Sequence, residues 1–140
     1  MHILIVNGPN LNLLGTRETD IYGAGTLEDL EQSLLSRFPG VVFEFFQSNV
    51  EGELVNRLHD TAECDGVVFN PAGYSHTSVA LRDCMAAIPV PVVEVHISNI
   101  YAREDFRHTS LTGAAAAGVI SGLGFDGYAL AVQHLLDRSR

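Results

Sequence analysis

Short apolar runs alternate with amphipathic segments along the whole of this sequence. Four runs of five or six residues predict buried strands, at residues 2–7, 41–46, 66–70 and 90–95. A segment between the first two runs places apolar residues at i, i+3, i+7 and i+8, which is the spacing of a helix with one apolar face. Strands that alternate with such helices form a parallel sheet covered by helices. The pattern therefore predicts an α/β fold.

Turn and capping residues set the predicted boundaries. Thr26 caps the first helix, and Pro39-Gly40 ends it. A fifth, short strand is expected at residues 118–122, with a helix as the alternative because four alanines precede it. A second helix is predicted to follow a cap at Ser48 or Asn49, and a third helix is predicted over residues 77–87. A last helix is predicted to end at about residue 137.

The chain is expected to form a single domain over residues 1–140. It has no internal repeat, no linker and 46% apolar residues, and a chain of this size buries roughly 70% of its unfolded surface. Five parallel strands predict a flavodoxin-like doubly wound sheet with helices on both faces. Such sheets bind ligands beyond the carboxyl ends of their strands.

Charge and composition exclude several classes of function. The chain carries 17 acidic and 8 basic residues, a formal net charge of −9, which disfavours nucleic acid and anionic membranes as partners. All eight basic residues are arginine, so lysine Schiff-base chemistry and a Walker-type phosphate loop are excluded. The histidines lack metal-ligand spacing, so we expect no metal site. Because the sequence lacks a basic leader and a long apolar run, we expect a cytoplasmic protein.

The loop after the first strand is unusually long. About eighteen residues separate strand from helix, whereas such loops typically have two to six. The loop contains Arg17 and Tyr22, together with glycines that allow it to bend. We interpret it as a functional lid; a solvated loop with a surface arginine is the alternative.

The loops after the third and fourth strands also carry chemistry-bearing residues. Asn70 ends the third strand, and His76 precedes a helix start, where a neutral imidazole is favoured. Glu94 and His96 share one side of the fourth strand, because alternate residues of a strand face the same way. A carboxylate there orients the histidine and favours its protonated form, as a general acid requires. The alternative for each is a purely structural histidine.

Several segments at these strand ends resemble the type II 3-dehydroquinate dehydratases. They run from the first strand to the last helix: IVNGPNLNLLG at 5–15, YG at 22–23, NPAGYSHTSVALRD at 70–83, EVHIS at 94–98, AREDFR at 102–107 and GVISGLGFDGY at 118–128. The one departure is Thr19, where many members have proline; this loosens the lid but removes no chemical group.

The resemblance implies a reaction, the trans dehydration of 3-dehydroquinate to 3-dehydroshikimate through an enolate. Members of this family use no metal and no cofactor. Type I enzymes perform the same conversion through an imine-forming lysine, so the absence of lysine agrees with type II. The resemblance also implies a homododecamer built from four trimers.

The resemblance assigns a role to each matching position. Tyr22 is the base, His96 supported by Glu94 is the acid, and Asn10 stabilises the enolate through a water. Arg17 activates Tyr22 and stabilises the transition state. Apart from the resemblance, the size of the Coulomb interaction makes Arg103 and Arg107 further candidates to stabilise an ionised Tyr22. The substrate is bound by Asn70, His76, Arg107 and the backbone of Ile97 and Ser98, with Asp83 supplied by a neighbouring subunit.

Three alternatives remain open at this stage. The same reaction serves either shikimate synthesis or quinate breakdown. A flavodoxin-like module that binds FMN or another nucleotide requires a phosphate cradle after the first strand, and the long loop there offers none. An inactive relic that serves as an assembly scaffold is disfavoured because every matched catalytic position is filled.

Overall fold

Five parallel strands form one sheet at the centre of the molecule. The computed structural model describes residues 1–16 and 18–139, so the predictions for Arg17 lie outside the described residues. The strands occur in the order β2-β1-β3-β4-β5 and have these bounds: β1 His2–Asn7, β2 Val42–Gln47, β3 Gly66–Asn70, β4 Val92–His96 and β5 Gly118–Ser121. The predicted fold class is confirmed.

Helices cover both faces of the sheet. They are α1 Thr19–Tyr22, α2 Leu27–Arg37, α3 Glu51–His59, α4 Val79–Ala87 and α5 Asp126–Arg138. Single 3₁₀ turns occupy Leu11–Leu13, Ala72–His76, Ile100–Ala102, Asp105–His108 and Gly113–Ala115. No helix in the described residues is long and apolar enough to cross a membrane.

Alternation along β1 divides the core into two layers. Ile3 and Ile5 pack into one buried cluster with residues of α2 and α5. Leu4 and Val6 point the other way, into a cluster with residues of α3 and α4. All four side chains are fully buried, because a central parallel strand is covered on both sides.

Strand β5 and helix α2, whose cap is predicted at Thr26, form as expected. β5 pairs with β4, and the helical alternative is wrong: the alanines before it form only a single 3₁₀ turn. Thr26 caps α2 in a capping box, since its hydroxyl accepts from the Asp29 N–H and the Asp29 carboxylate accepts from the Thr26 N–H.

Other boundaries differ by one or two residues from those predicted. β4 begins at Val92 rather than Val90, because Pro91 has no N–H to give to a strand ladder. α4 begins at Val79, since the 3₁₀ turn ending at His76 precedes it.

The N-cap predicted at Ser48 or Asn49 for helix α3 is wrong. Val50 is the N-cap residue of α3, and it makes no side-chain capping bond. The Ser48 hydroxyl accepts from the Val50 N–H and donates to Glu53 instead, so it shapes the turn that leads into the helix.

The strand order places the carboxyl ends of β1 and β3 side by side. The Gly8 N–H donates to the carbonyl oxygen of Asn70 over 2.8 Å, which ties together the two loops that begin there. A side chain at Gly8 would place its Cβ 2.6 Å from the backbone oxygen of Pro71. The close approach of these loops therefore requires glycine.

We predict that Gly8→Ala lowers the free energy of unfolding by about 1–3 kcal/mol, because the new methyl group overpacks two backbones that have no room to move apart. Gly40→Ala is the control, since no heavy atom lies within 4 Å of a Cβ placed there. It should stay within about 1 kcal/mol of the wild type. Urea denaturation measures both, and equal stability of the two variants would contradict the steric argument.

Candidate functional site

A cleft of about 620 Å³, open to solvent, lies at the carboxyl edge of the sheet. Nine residues predicted from the sequence line it: Asn10, Tyr22, Asn70, His76, His96, Ile97, Ser98, Arg103 and Arg107. Glu94 lies behind His96, whereas Asp83 is exposed on α4 and does not line the cleft of its own chain.

Glu94 and His96 form a buried pair at the end of β4. The His96 Nε2 lies 2.9 Å from the Glu94 Oε2, and the two residues are 4% and 0% exposed. Since residues two apart face the same side of a strand, the backbone itself sets this contact. The predicted pairing is confirmed.

Two hydroxyl groups complete the environment of the Glu94 carboxylate. Ser110 donates to its Oε2 over 2.6 Å, and Thr112 donates to its Oε1. Burial opposes ionisation, but the bonds from His96, Ser110 and Thr112 outweigh it and hold the pKa of Glu94 below its usual range. Sequence reasoning missed both hydroxyl residues, because no spacing rule links them to β4.

His76 faces His96 across the cleft as a neutral imidazole. The ring centroids are 6.2 Å apart, and the His76 Nδ1 lies 2.8 Å from the carbonyl oxygen of Thr109. Partial burial lowers the pKa of His76 and outweighs the hydrogen bond to Thr109, which raises it; the nearby His96 and Arg107 lower it further. The position before a helix predicts a neutral histidine, but burial is the main cause of the lowered pKa.

Asn70 is held in place by a buried chain of hydrogen bonds. Its amide donates to the Tyr128 hydroxyl over 2.9 Å, and that hydroxyl donates to the Asn7 Oδ1 over 2.6 Å. The Asn70 Oδ1 accepts from the Ala72 N–H. Tyr128 is fully buried, and burial raises its pKa well above the ordinary value, so its hydroxyl stays protonated. Sequence reasoning did not find this role of Tyr128.

Tyr22 reaches the cleft from α1, in the long loop after β1. The guanidinium carbon of Arg103 lies 5.2 Å from the centre of its ring, in the range of a cation–π contact. Arg103 also donates to the Ser98 hydroxyl over 3.2 Å. Its buried Nε has no hydrogen-bond partner among the described residues.

Thr19 and Asn10 shape the backbone of the same loop. Thr19 is the first residue of α1, the helix position at which proline is most readily accepted. The helix that carries Tyr22 forms with threonine at this position, so the loosening expected of Thr19 does not extend to loss of this helix. Asn10 adopts a left-handed conformation with φ of 70°, and its N–H donates to the Asn49 side chain over 2.9 Å.

One cluster outside the cleft has metal-ligand chemistry. Ligand atoms of His2, Glu44 and Cys64 lie within 4.8 Å of one another. The Arg57 guanidinium already bonds to Glu44, and its positive charge disfavours a cation at that carboxylate. Burial also raises the pKa of the Cys64 thiol, which disfavours the thiolate that a metal requires.

Known proteins resemble this chain over almost its full length. A family model described as dehydroquinase class II matches residues 1–136. The 3-dehydroquinate dehydratase of Bacillus licheniformis is 55% identical over 139 residues, which are 97% of this chain and 96% of the relative. The type II dehydroquinase structure from Butyrivibrio crossotus has a TM-score of 0.94 at 41% identity, covering 96% of this chain and 97% of that one. That from Propionibacterium acnes has a TM-score of 0.91 at 44% identity, covering 96% and 94%.

We predict that His76 makes stability depend on pH in the acid range. Because its folded pKa lies below the ordinary value of 6.5, the unfolded chain binds a proton that the folded chain does not. Its contribution to stability is therefore full above pH 6.5 and is lost as the pH falls towards the lower folded pKa. Urea denaturation at pH 8 and pH 5 should show that His76→Gln loses less stability than the wild type on acidification. Equal losses in the two proteins would contradict a neutral, half-buried His76.

Proposed function

The chain belongs to the dehydroquinase class II family, and we propose that it catalyses the trans dehydration of 3-dehydroquinate to 3-dehydroshikimate through the cleft residues described above. It is a hydro-lyase of the type II class. The observation that carries the mechanism is that one cleft is lined by both His96 and Tyr22. The buried Glu94 pairs with His96, and the Arg103 guanidinium lies over the Tyr22 ring.

Tyr22 serves as the base in the first step. Its phenolate oxygen takes the proton next to the ketone. The electron pair of that C–H bond forms a carbon–carbon double bond, and the π electrons of the ketone move to its oxygen to give an enolate. A tyrosine with an ordinary pKa near 10 costs roughly 4 kcal/mol to ionise at pH 7. A cation about 4 Å away contributes a Coulomb energy of about 4 kcal/mol at an effective dielectric constant of 20. The Arg103 guanidinium carbon lies 5.2 Å from the centre of the Tyr22 ring, which makes Arg103 one source of positive charge near this tyrosine, and the family resemblance assigns the same role to Arg17.

His96 serves as the acid in the second step. The enolate returns to a ketone as its electrons form the new carbon–carbon double bond, and the bond to the neighbouring hydroxyl breaks. His96 gives that leaving group a proton, so water departs. The Glu94 carboxylate, 2.9 Å from Nε2, holds the ring in the orientation needed for this transfer.

The remaining cleft residues bind the substrate. His76 is neutral and accepts from a hydroxyl, and Asn70 is locked by its bonds to Tyr128 and Ala72. The backbone N–H groups of Ile97 and Ser98 take the substrate carboxylate. Asn10 stabilises the enolate through a water, and Arg107 contributes a positive charge at the mouth of the cleft.

Assembly and location complete the proposal. The Asp83 carboxylate is exposed and outside its own chain's cleft, so it contributes only if a neighbouring subunit presents it. Val119, Leu123 and Leu130 are 44–52% exposed around β5 and offer apolar surface for contacts between subunits. These features support contacts between subunits, and the family resemblance implies that the assembly is a homododecamer of four trimers that works in the cytoplasm. The same reaction in quinate breakdown is the alternative physiological role.

We predict that purified protein converts 3-dehydroquinate in the presence of a chelator and that Tyr22→Phe lowers kcat by at least about a hundredfold, since loss of a general base typically costs that much. The rise in ultraviolet absorbance of the conjugated enone product measures the rate. Tyr101→Phe is the matched control, because Tyr101 is 66% exposed and does not line the cleft. A folded wild type without turnover would overturn the proposed reaction; near-normal kcat in Tyr22→Phe would overturn only the assigned base.

We predict that Arg103→Ala and Arg17→Ala each lower kcat by tenfold or more, because roughly 1.4 kcal/mol of lost stabilisation of an ionised Tyr22 corresponds to a factor of ten. Arg37→Ala is the control. Its guanidinium carbon lies 5.6 Å from the centre of the Phe38 ring, and neither residue lines the cleft. Steady-state kinetics should show Arg37→Ala at wild-type kcat, and an unchanged kcat in Arg103→Ala would remove Arg103 from the activation of Tyr22.

A further inference from the structure

Residues 109–112, here called the 109–112 segment, contact His76 directly and contact Glu94, the carboxylate that pairs with His96. It lies between the 3₁₀ turns Asp105–His108 and Gly113–Ala115. The Leu111 N–H donates to the carbonyl oxygen of Ser75 over 2.7 Å, which fastens the segment to the loop after β3. The Gly113 N–H donates to the Ser110 hydroxyl oxygen over 2.9 Å and orients that hydroxyl.

The first contact of the 109–112 segment is with His76. The Thr109 carbonyl oxygen can only accept, so the His76 Nδ1, at 2.8 Å, must carry a proton. In a neutral imidazole the other nitrogen, Nε2, is then an acceptor. The Ser75 hydroxyl oxygen lies 3.3–3.4 Å from both ring nitrogens, so it is not aligned with the lone pair of either one.

The second contact is with Glu94, on the opposite side of the cleft. The Ser110 and Thr112 hydroxyls occupy one carboxylate oxygen each, and the Oε2 that accepts from Ser110 also contacts the His96 Nε2. A carboxylate held at both oxygens cannot rotate away from the histidine. Nε2 of His96 therefore carries a proton in both the neutral and the charged ring, and Nδ1 is the nitrogen that holds the second, transferable proton when the ring is an imidazolium.

We propose that the 109–112 segment is a positioning element that fixes the ring nitrogens of both histidines, so that His76 presents Nε2 as an acceptor and His96 presents Nδ1 as the proton donor to the same cleft. Thr109 acts through its carbonyl oxygen on His76, and Ser110 and Thr112 act through Glu94 on His96. The proton-donor role of His96 rests on the function proposed above. The assignment of ring nitrogens does not, because it follows from hydrogen-bond partners alone.

Kinetics of hydroxyl-deletion variants test the Glu94 side of the proposal. Ser110→Ala and Thr112→Val should each lower kcat about tenfold, because each removes a hydrogen bond to a charged carboxylate and part of that loss is transmitted to His96. KM should change by less than about twofold, since neither hydroxyl lines the cleft. Thr112→Ser restores a hydroxyl and should recover most of the lost kcat.

Thr61→Val is the matched control for loss of a buried threonine hydroxyl. Thr61 is 2% exposed, and its hydroxyl donates to the Leu58 carbonyl oxygen over 3.0 Å, away from the cleft. It should lower the melting temperature about as much as Thr112→Val but leave kcat unchanged. If Thr112→Val loses no more kcat than Thr61→Val, or if Thr112→Ser is as impaired as Thr112→Val, the positioning role is overturned.

Ring-nitrogen NMR of the ligand-free full chain, labelled with ¹⁵N-histidine, tests the same proposal without turnover. His76→Gln and His96→Gln identify the two sets of signals. Protonated Nδ1 with unprotonated Nε2 at His76, and protonated Nε2 at His96, support the proposal; the opposite form at either ring overturns it. A wild type that does not act on 3-dehydroquinate refutes the proposed function, and these spectra still decide the positioning role.

Discussion

The buried carboxylate of Glu94 is the charge around which the cleft is organised. An ion without water is costly to bury, so it persists only when its oxygens are hydrogen-bonded. Three donors from two parts of the chain meet this need: His96 on the same strand, and Ser110 and Thr112 on the segment that crosses beside it. The groups that satisfy the charge are thereby fixed, and the acid half of the site is rigid before any ligand arrives.

The base half of the site is built differently. Tyr22 is only partly buried and sits in a four-residue helix inside a long loop, whereas His96 lies at the end of a fully buried strand. Positive φ angles at Asn10, Gly15, Glu18 and Gly23 let the loop turn back over the strand ends. Residues at strand ends are held in fixed positions, whereas residues in loops lie at the surface where a ligand enters, and this cleft uses both kinds.

The strands and helices were largely predictable because their signals are local. Period-two alternation also placed Glu94 beside His96 correctly, since a strand permits no other arrangement of residues two apart. The hydroxyls of Ser110 and Thr112 were not predictable, because they lie 16 and 18 positions beyond Glu94 in a stretch without periodicity. The family resemblance assigned residues that contact the substrate, but it did not indicate the residues that position them. Tyr128, which accepts a hydrogen bond from the Asn70 amide, is one of these positioning residues.

The bond between Tyr128 and Asn7 joins residues that are 121 positions apart, nearly the two ends of the chain. Closing so large a loop is among the slower steps of folding. Asn70 receives its hydroxyl partner only when α5 has docked on the sheet, so a chain with its strands paired but α5 undocked has no finished cleft. Docking of α5 is thus the step that completes the site.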